Sequence, residues 1–199
     1  MNKTEKRKEI KQMQKKLTSE YCDFADMKIC DSIINLDEFK KSKTIFCFIN
    51  LENEINTRPI IEQAWTMGKS IAVPKCTGQG TMELYNINSY DDLESGSYGI
   101  REPKKSCPCV SPEQIDFAVI PCISCDLNGW RLGHGGGYYD RYLEHTTFMT
   151  AVICRQAVLS ESIPHENYDR RMNIVVTEET VRYINSSICN SMQESVSEI

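Results

Sequence analysis

Long apolar runs are missing from this chain. No stretch of its 199 residues approaches the roughly 18 consecutive apolar positions that cross a bilayer, and the opening MNKTEKRKEI lacks the apolar segment of a secretory signal. The expectation is a soluble, cytoplasmic protein with no membrane partner. Positive charge is also short, with 23 Lys and Arg against 28 Asp and Glu, a net charge of −5. Residues 1–16 nevertheless hold a local excess of +5, from seven Lys or Arg and two Glu, which leaves −10 on the remainder. Binding along a duplex needs an extended basic surface, so no nucleic-acid partner is expected. Histidine is scarce at three residues, and no Ser-His or Cys-His constellation stands out for nucleophilic catalysis.

Cysteine, in contrast, is plentiful. Ten cysteines are spread from Cys22 to Cys189 in a chain whose 40% hydrophobic content can build a core without staples. Most are expected as reduced thiols serving as small hydrophobes. Cys107, Cys109, Cys122 and Cys125 form a candidate set for a structural metal or a response to oxidation, but their spacing fits no zinc module closely and reduced, unliganded thiols are the expectation.

Ile10, Met13 and Leu17 recur at helical spacing among lysines, and Ser19 then reads as the N-cap of a second helix with the stripe Cys22, Ala25, Ile29, Ile33 and Leu36. Five near-continuous apolar runs follow, at residues 44–49, 70–74, 116–121, 150–154 and 173–177, as in strands buried on both faces. Thr57, Pro59 and Gly68 bound one intervening helix, and residues 137–145 predict another. This alternation predicts a single α/β domain over residues 1–185, an open and mostly parallel sheet with helices on both faces in three layers. Ligands of such sheets bind beyond the carboxyl ends of the strands. The polar segment 186–199 reads as a disordered tail.

Between a predicted strand and a predicted helix stands Arg131-Leu-Gly-His-Gly-Gly-Gly-Tyr-Tyr-Asp-Arg-Tyr-Leu143, with glycine at 133, 135, 136 and 137. Glycines let successive backbone N–H groups converge on one point, and a helix beginning there adds its positive end, a combination suited to phosphate. Arg131 can add a charged fork, and Asp140 can hold a Mg²⁺ that bridges a nucleotide. The loop lacks the Gly-Lys-Ser/Thr ending of a P-loop. It also comes too late in the chain for a dinucleotide fold, which argues against a dinucleotide-dependent oxidoreductase.

With its flanks, the segment resembles the signature Arg-Leu-Gly-x-Gly-x-Gly-Tyr-Tyr-Asp of the 5-formyltetrahydrofolate cyclo-ligase (5,10-methenyltetrahydrofolate synthetase) family. Four further segments resemble that family in order: Lys3 to Arg7, Glu54 to Thr57, Gly99 to Pro103, and Asn167 to Asp169. The resemblance implies ATP- and Mg²⁺-dependent closure of 5-formyltetrahydrofolate to 5,10-methenyltetrahydrofolate through a phosphorylated formyl group. It assigns ATP to Lys3, Arg7, Arg131, Leu132, Gly133, His134, Gly135, Gly136, Gly137, Tyr138 and Tyr139, with Arg131 and Lys3 as the catalytic cations. It assigns Mg²⁺ to Asp140 and Asp169, and folate to Ile49, Glu54, Tyr98 and Tyr138. Gly99 and Ile100 would continue a wall for the flat ring, and a monomer is implied. The alternative is a non-catalytic nucleotide- or folate-binding module of the same fold.

Overall fold

Asn2 starts the first helix, α1 (Lys3–Gln14), by accepting the Glu5 N–H on its side chain while Glu5 reaches back to the Asn2 N–H. The structure is a computed structural model that describes residues 2–96 and 99–184. Thr18, not Ser19, caps α2 (Ser19–Asn35), accepting the Tyr21 N–H at 3.2 Å. Thr18 holds the extended backbone that a cap needs, and Ser19 is already helical. The elements then run α3 (Asp37–Lys41), β1 (Thr44–Cys47), α4 (Arg58–Thr66), β2 (Ser70–Gly78), β3 (Thr81–Ile87), β4 (Leu93–Ser95), β5 (Arg101–Pro103) and β6 (Cys109–Val110). They continue with β7 (Phe117–Ile120), β8 (Ser124–Cys125), β9 (Arg131–Leu132), α5 (Tyr138–Leu143), β10 (Met149–Ile153), β11 (Ile174–Val176) and β12 (Val181–Tyr183). Pro59 stands in the first turn of α4, and Gly68 follows its end with φ +71°.

Among the described residues the main sheet has eight strands in the order β12-β11-β10-β7-β1-β2-β3-β6. The five apolar runs of the sequence form its parallel centre, β1, β2, β7, β10 and β11. β3, β6 and β12 add antiparallel margins that the run pattern does not predict. In β3 alternation replaces the continuous run, because Met82 and Leu84 are buried while Glu83 is exposed.

Each central strand is buried on both faces. Ile45, Cys47, Val73, Phe117, Val119 and Ile153 pack with Ile29, Ile33, Phe39, Ile60 and Ala64 of α2, α3 and α4. On the other face, Phe46, Ala72, Ala118, Val152 and Val175 pack with Ile10 of α1 and Leu143 of α5. Three layers result, and either face explains why these strands read as unbroken apolar runs. Truncating a fully buried ring such as Phe46 to Ala would cost about 3–5 kcal/mol.

The topology reverses direction beside β1. From β1 the chain adds β2 on one side, and it later returns to add β7, β10 and β11 on the other. The gap that such a reversal opens at the carboxyl ends of β1 and β7 is where open α/β sheets bind ligands.

Candidate active site

A cavity of about 670 Å³ occupies that gap, within the range of small-molecule sites. Phe48 and Ile49 line it just past β1, Pro121 just past β7, and Pro74 and Cys76 along β2. The glycine loop, the first turns of α1, and Tyr168 with Asp169 complete its wall.

The loop's shape is set before the glycines begin. Buried Asp126 accepts the N–H groups of Asn128 (2.9 Å) and Trp130 (3.1 Å) on Oδ1 and that of Ile163 (2.8 Å) on Oδ2. This fixes the tight turn between β8 and β9 and delivers Arg131 to the cavity with its side chain 4% exposed. A Cβ on Gly133 would stand 2.9 Å from Arg131 Nη1, so the guanidinium needs that glycine. Gly135 and Gly137 hold φ of +105° and +68°, a region costly for other residues. Arg141 then reaches back, donating to the carbonyls of Gly136 and Gly80 and tying the loop to the β2–β3 turn. The helix after the loop is shorter than the sequence predicts. α5 ends at Leu143, where Thr146 turns its N–H and hydroxyl onto the Leu143 carbonyl, so six residues supply only a small dipole. The attraction for an anion thus rests on cations and loop amides.

Those cations are paired. Arg131 Nη2 lies 2.9 Å from Asp140 Oδ1, and Lys3 Nζ lies 2.5 Å from Asp169 Oδ2. Asp140 Oδ1 also accepts the Arg170 N–H (3.2 Å), and Asp169 Oδ2 the Glu166 N–H (2.6 Å). The second oxygen of each carboxylate has no hydrogen-bond partner among the described residues. Arg131 Nε is buried with no acceptor among them either. Arg7 donates from Nε to the Gly133 carbonyl (2.8 Å), which places α1 against the loop.

Across the cavity, Glu54 accepts the Leu51 N–H on Oε2 (2.9 Å), and its Oε1 lies 3.2 Å from His134 Nε2. Tyr139 stacks flat on Phe46 with centroids 5.9 Å apart and carries the Arg131 guanidinium over its ring. Burial pushes its hydroxyl pKa up, so it remains a protonated donor. This packing makes Tyr139 part of the floor.

The cavity collects Lys3, Arg7, Ile49, Glu54, every residue from Arg131 to Asp140, and Asp169. Tyr98 lies outside the described residues, while Ile100 of the same segment lines the wall. Three features escape a reading of the sequence. His134 contacts Glu54 from 80 positions away. Buried Glu102, within the Gly-Ile-x-Glu-Pro segment, lines the cavity and accepts the Cys76 N–H at 3.2 Å. Asp26 and Arg155 brace the Glu54 loop from behind. Only Glu102 has a local signal, its place in that segment. The four cysteines of the candidate set do not come together. Cys109 lies on β6 at one margin of the sheet and Cys107 packs on the α2–α4 side, whereas Cys122 and Cys125 lie at the opposite face and gather with Cys154.

Comparison with known proteins bears on the family and the fold. Residues 1–178 match the model of the 5-formyltetrahydrofolate cyclo-ligase family. The chain belongs to that family. Among curated cyclo-ligase relatives, a probable 5-formyltetrahydrofolate cyclo-ligase of Schizosaccharomyces pombe is 28% identical, over 83% of this chain and 90% of the relative. The Escherichia coli K12 cyclo-ligase is 28% identical, over 84% of this chain and 96% of its own. The NMR structure of Aquifex aeolicus 5,10-methenyltetrahydrofolate synthetase superimposes with a TM-score of 0.83 at 29% identity, covering 98% of this chain and 100% of that one. A synthetase of the same description from Mycoplasma pneumoniae, 22% identical, shares the fold with a TM-score of 0.74, over 90% of this chain and 100% of its own.

Proposed function

We propose that this chain uses Mg²⁺ and ATP to close 5-formyltetrahydrofolate into 5,10-methenyltetrahydrofolate, releasing ADP and phosphate. The observation that carries the reading is the double pairing of Arg131 with Asp140 and Lys3 with Asp169 on the wall of a cavity that also holds Glu54. Each pair contains a cation suited to phosphate and a carboxylate suited to a hard metal ion. Incoming Mg-ATP would exchange the partners, so that Lys3, Arg7 and Arg131 turn to phosphate oxygens. The unpartnered oxygens of Asp140 and Asp169 and the orphaned Arg131 Nε fit that exchange. Asp140 and Asp169 would hold Mg²⁺, which when bound neutralises charge on the phosphates.

The formyl oxygen then attacks the γ-phosphorus, forming an O–P bond as the bond to ADP breaks. N10 attacks the activated formyl carbon and loses its proton, and C–O cleavage releases phosphate and leaves the methenyl cation. No protein nucleophile takes part. The chain's own work is alignment by the loop and charge stabilisation by Arg131 and Lys3. Glu54 is suited to the pterin edge, whose N–H and amino group lie side by side. Ile49, Ile100 and Tyr138 would flank the ring, with Tyr98 as a further contact. The proposal extends to a monomeric cytoplasmic enzyme. Among the described residues no helix is long and apolar enough to cross a membrane.

The direct test mixes the protein with 5-formyltetrahydrofolate, ATP and Mg²⁺ and follows the near-ultraviolet absorbance of the methenyl product. A rise that requires ATP and is lost in Asp140→Ala is expected. Nucleotide binding without any rise would favour the non-catalytic binding module.

A further inference from the structure

Away from the phosphate loop, three thiols that the proposed reaction does not use meet at one point. Cys122 follows β7, Cys125 belongs to β8 and Cys154 follows β10, and their Sγ atoms all lie within 4.8 Å of one another. The sheet brings them together. β7 and β10 pair in parallel with Ile120 opposite Val152, so the chain leaves the two strands side by side with position 122 next to 154. Cys125 is returned to the same spot by the β8–β9 hairpin, whose Cys125 carbonyl accepts the Ser160 N–H at 2.9 Å. Cys125 and Cys154 are buried, and half-buried Cys122 leaves one side open to approach.

We propose that Cys122, Cys125 and Cys154 form a binding site for one soft d¹⁰ cation, Zn²⁺ or Cu⁺. The donor set decides the class of ion. It contains sulfur and neither carboxylate nor imidazole, which selects thiophilic metals over Mg²⁺ or Ca²⁺. A metal about 2.3 Å from three sulfurs holds them roughly 3.8–4.0 Å apart, so the widest pair here closes by about an ångström at most, within the reach of side-chain rotation. Cys122 Sγ donates to the Ile153 carbonyl at 3.3 Å and Cys154 Sγ to the Arg155 carbonyl at 3.5 Å, so two of the three thiols give up only weak S–H bonds when they turn to a metal. Binding a divalent ion replaces three S–H bonds by three metal–sulfur bonds and releases three protons. The complex then carries one net negative charge for Zn²⁺, and Arg131, the register partner of Cys125, is a cation nearby to offset it.

Occupancy would cross-link the ends of β7 and β10 to the hairpin that carries Arg131, bracing the glycine loop from beneath. Cys107 and Cys109 take no part, being on other elements.

The test titrates the reduced full-length protein with Cd²⁺ as a spectroscopic probe and follows the ultraviolet charge-transfer band of the thiolate, proton release in weak buffer, and the melting temperature. One equivalent should saturate the band, release about three protons and raise the melting temperature. Competition against chelators selective for Zn²⁺ and for Cu⁺ then identifies which ion binds more tightly. Cys125→Ala and Cys154→Ala should each abolish the saturable band, and the double variant Cys107→Ser/Cys109→Ser should keep it. If either buried variant fails to fold, half-buried Cys122→Ser decides. A full band in Cys122→Ser, no one-equivalent binding in the unaltered chain, or preferential binding of Mg²⁺ would each overturn the site.

Discussion

Arg155 grips both carboxylate oxygens of Asp26, with Nε 2.7 Å from Oδ1 and Nη2 2.9 Å from Oδ2. The same guanidinium donates to the backbone carbonyls of Asn53 (3.3 Å) and Glu54 (3.1 Å), and Asp26 accepts the Asn56 N–H (2.9 Å). A buried ion pair between α2 and the end of β10 therefore fixes the backbone that presents Glu54 to the cavity.

Asp26→Asn should leave Arg155 charged and poorly compensated in the interior, a loss of about 3–5 kcal/mol. Denaturant unfolding would measure it. Because the pair acts on the Glu54 loop, the KM for folate should rise while that for ATP changes little. An equal rise in both would remove the positioning role and leave only the structural one.

Arg131→Lys keeps a positive charge but loses the planar fork that contacts Asp140 and lies over Tyr139. If that guanidinium stabilises charge on the transferring phosphoryl group, kcat should fall by roughly 10²–10³-fold with a smaller change in the KM for ATP. Steady-state kinetics would separate the two. A change in KM alone would reduce Arg131 to a ground-state contact.

His134 occupies the Glu54 oxygen that a pterin edge would need, while the Leu51 N–H holds the other. His134→Ala removes the competitor and leaves the orienting bond, so the folate KM should fall by about two- to tenfold, the equivalent of one hydrogen bond. Weaker folate binding in the variant would mean that the imidazole orients the carboxylate instead.

Alkaline stability should reveal the tyrosines. Burial raises Tyr21 and Tyr90 from the ordinary 10.0 to about 12, and for Tyr21 the Glu178 carboxylate that accepts its hydroxyl adds to the effect. A group whose pKa is raised by folding contributes stability that is present below the unfolded value and is lost as pH rises through the folded one. Unfolding monitored by circular dichroism should therefore become easier between about pH 10 and pH 12. Tyr21→Phe should flatten part of that slope. An unchanged slope would show that Tyr21 ionises alike in both states.

The five central strands were legible in the sequence because both faces are buried, which leaves no polar alternation to interrupt the apolar runs. β3 was harder to read because it is half-buried, and β12 because Val181 to Tyr183 are exposed. The glycine loop was legible because its chemistry is contiguous, from Arg131 to Asp140. Asp26 and Arg155 were not, since they stand 129 positions apart and each resembles an ordinary surface charge until the sheet brings them together. The cysteines show the same limit. Nearness in sequence made Cys107 and Cys109 candidates beside Cys122 and Cys125, but the parallel pairing of β7 with β10 brings Cys154 there instead.

The bond between Lys3 and Asp169 spans 166 positions, and this sets an order in time. On the ribosome, Lys3 is made 166 residues ahead of Asp169 and waits roughly 8–35 s for it, at ordinary rates of synthesis of about 5–20 residues per second. Arg7 and its Gly133 partner are separated almost as widely. That part of the cavity wall therefore closes only after Asp169 has been made. Strands β1, β2, β7 and β10 are all made before Asp169 and β11 after it, so four of the five central strands can pair before the Lys3 contact forms.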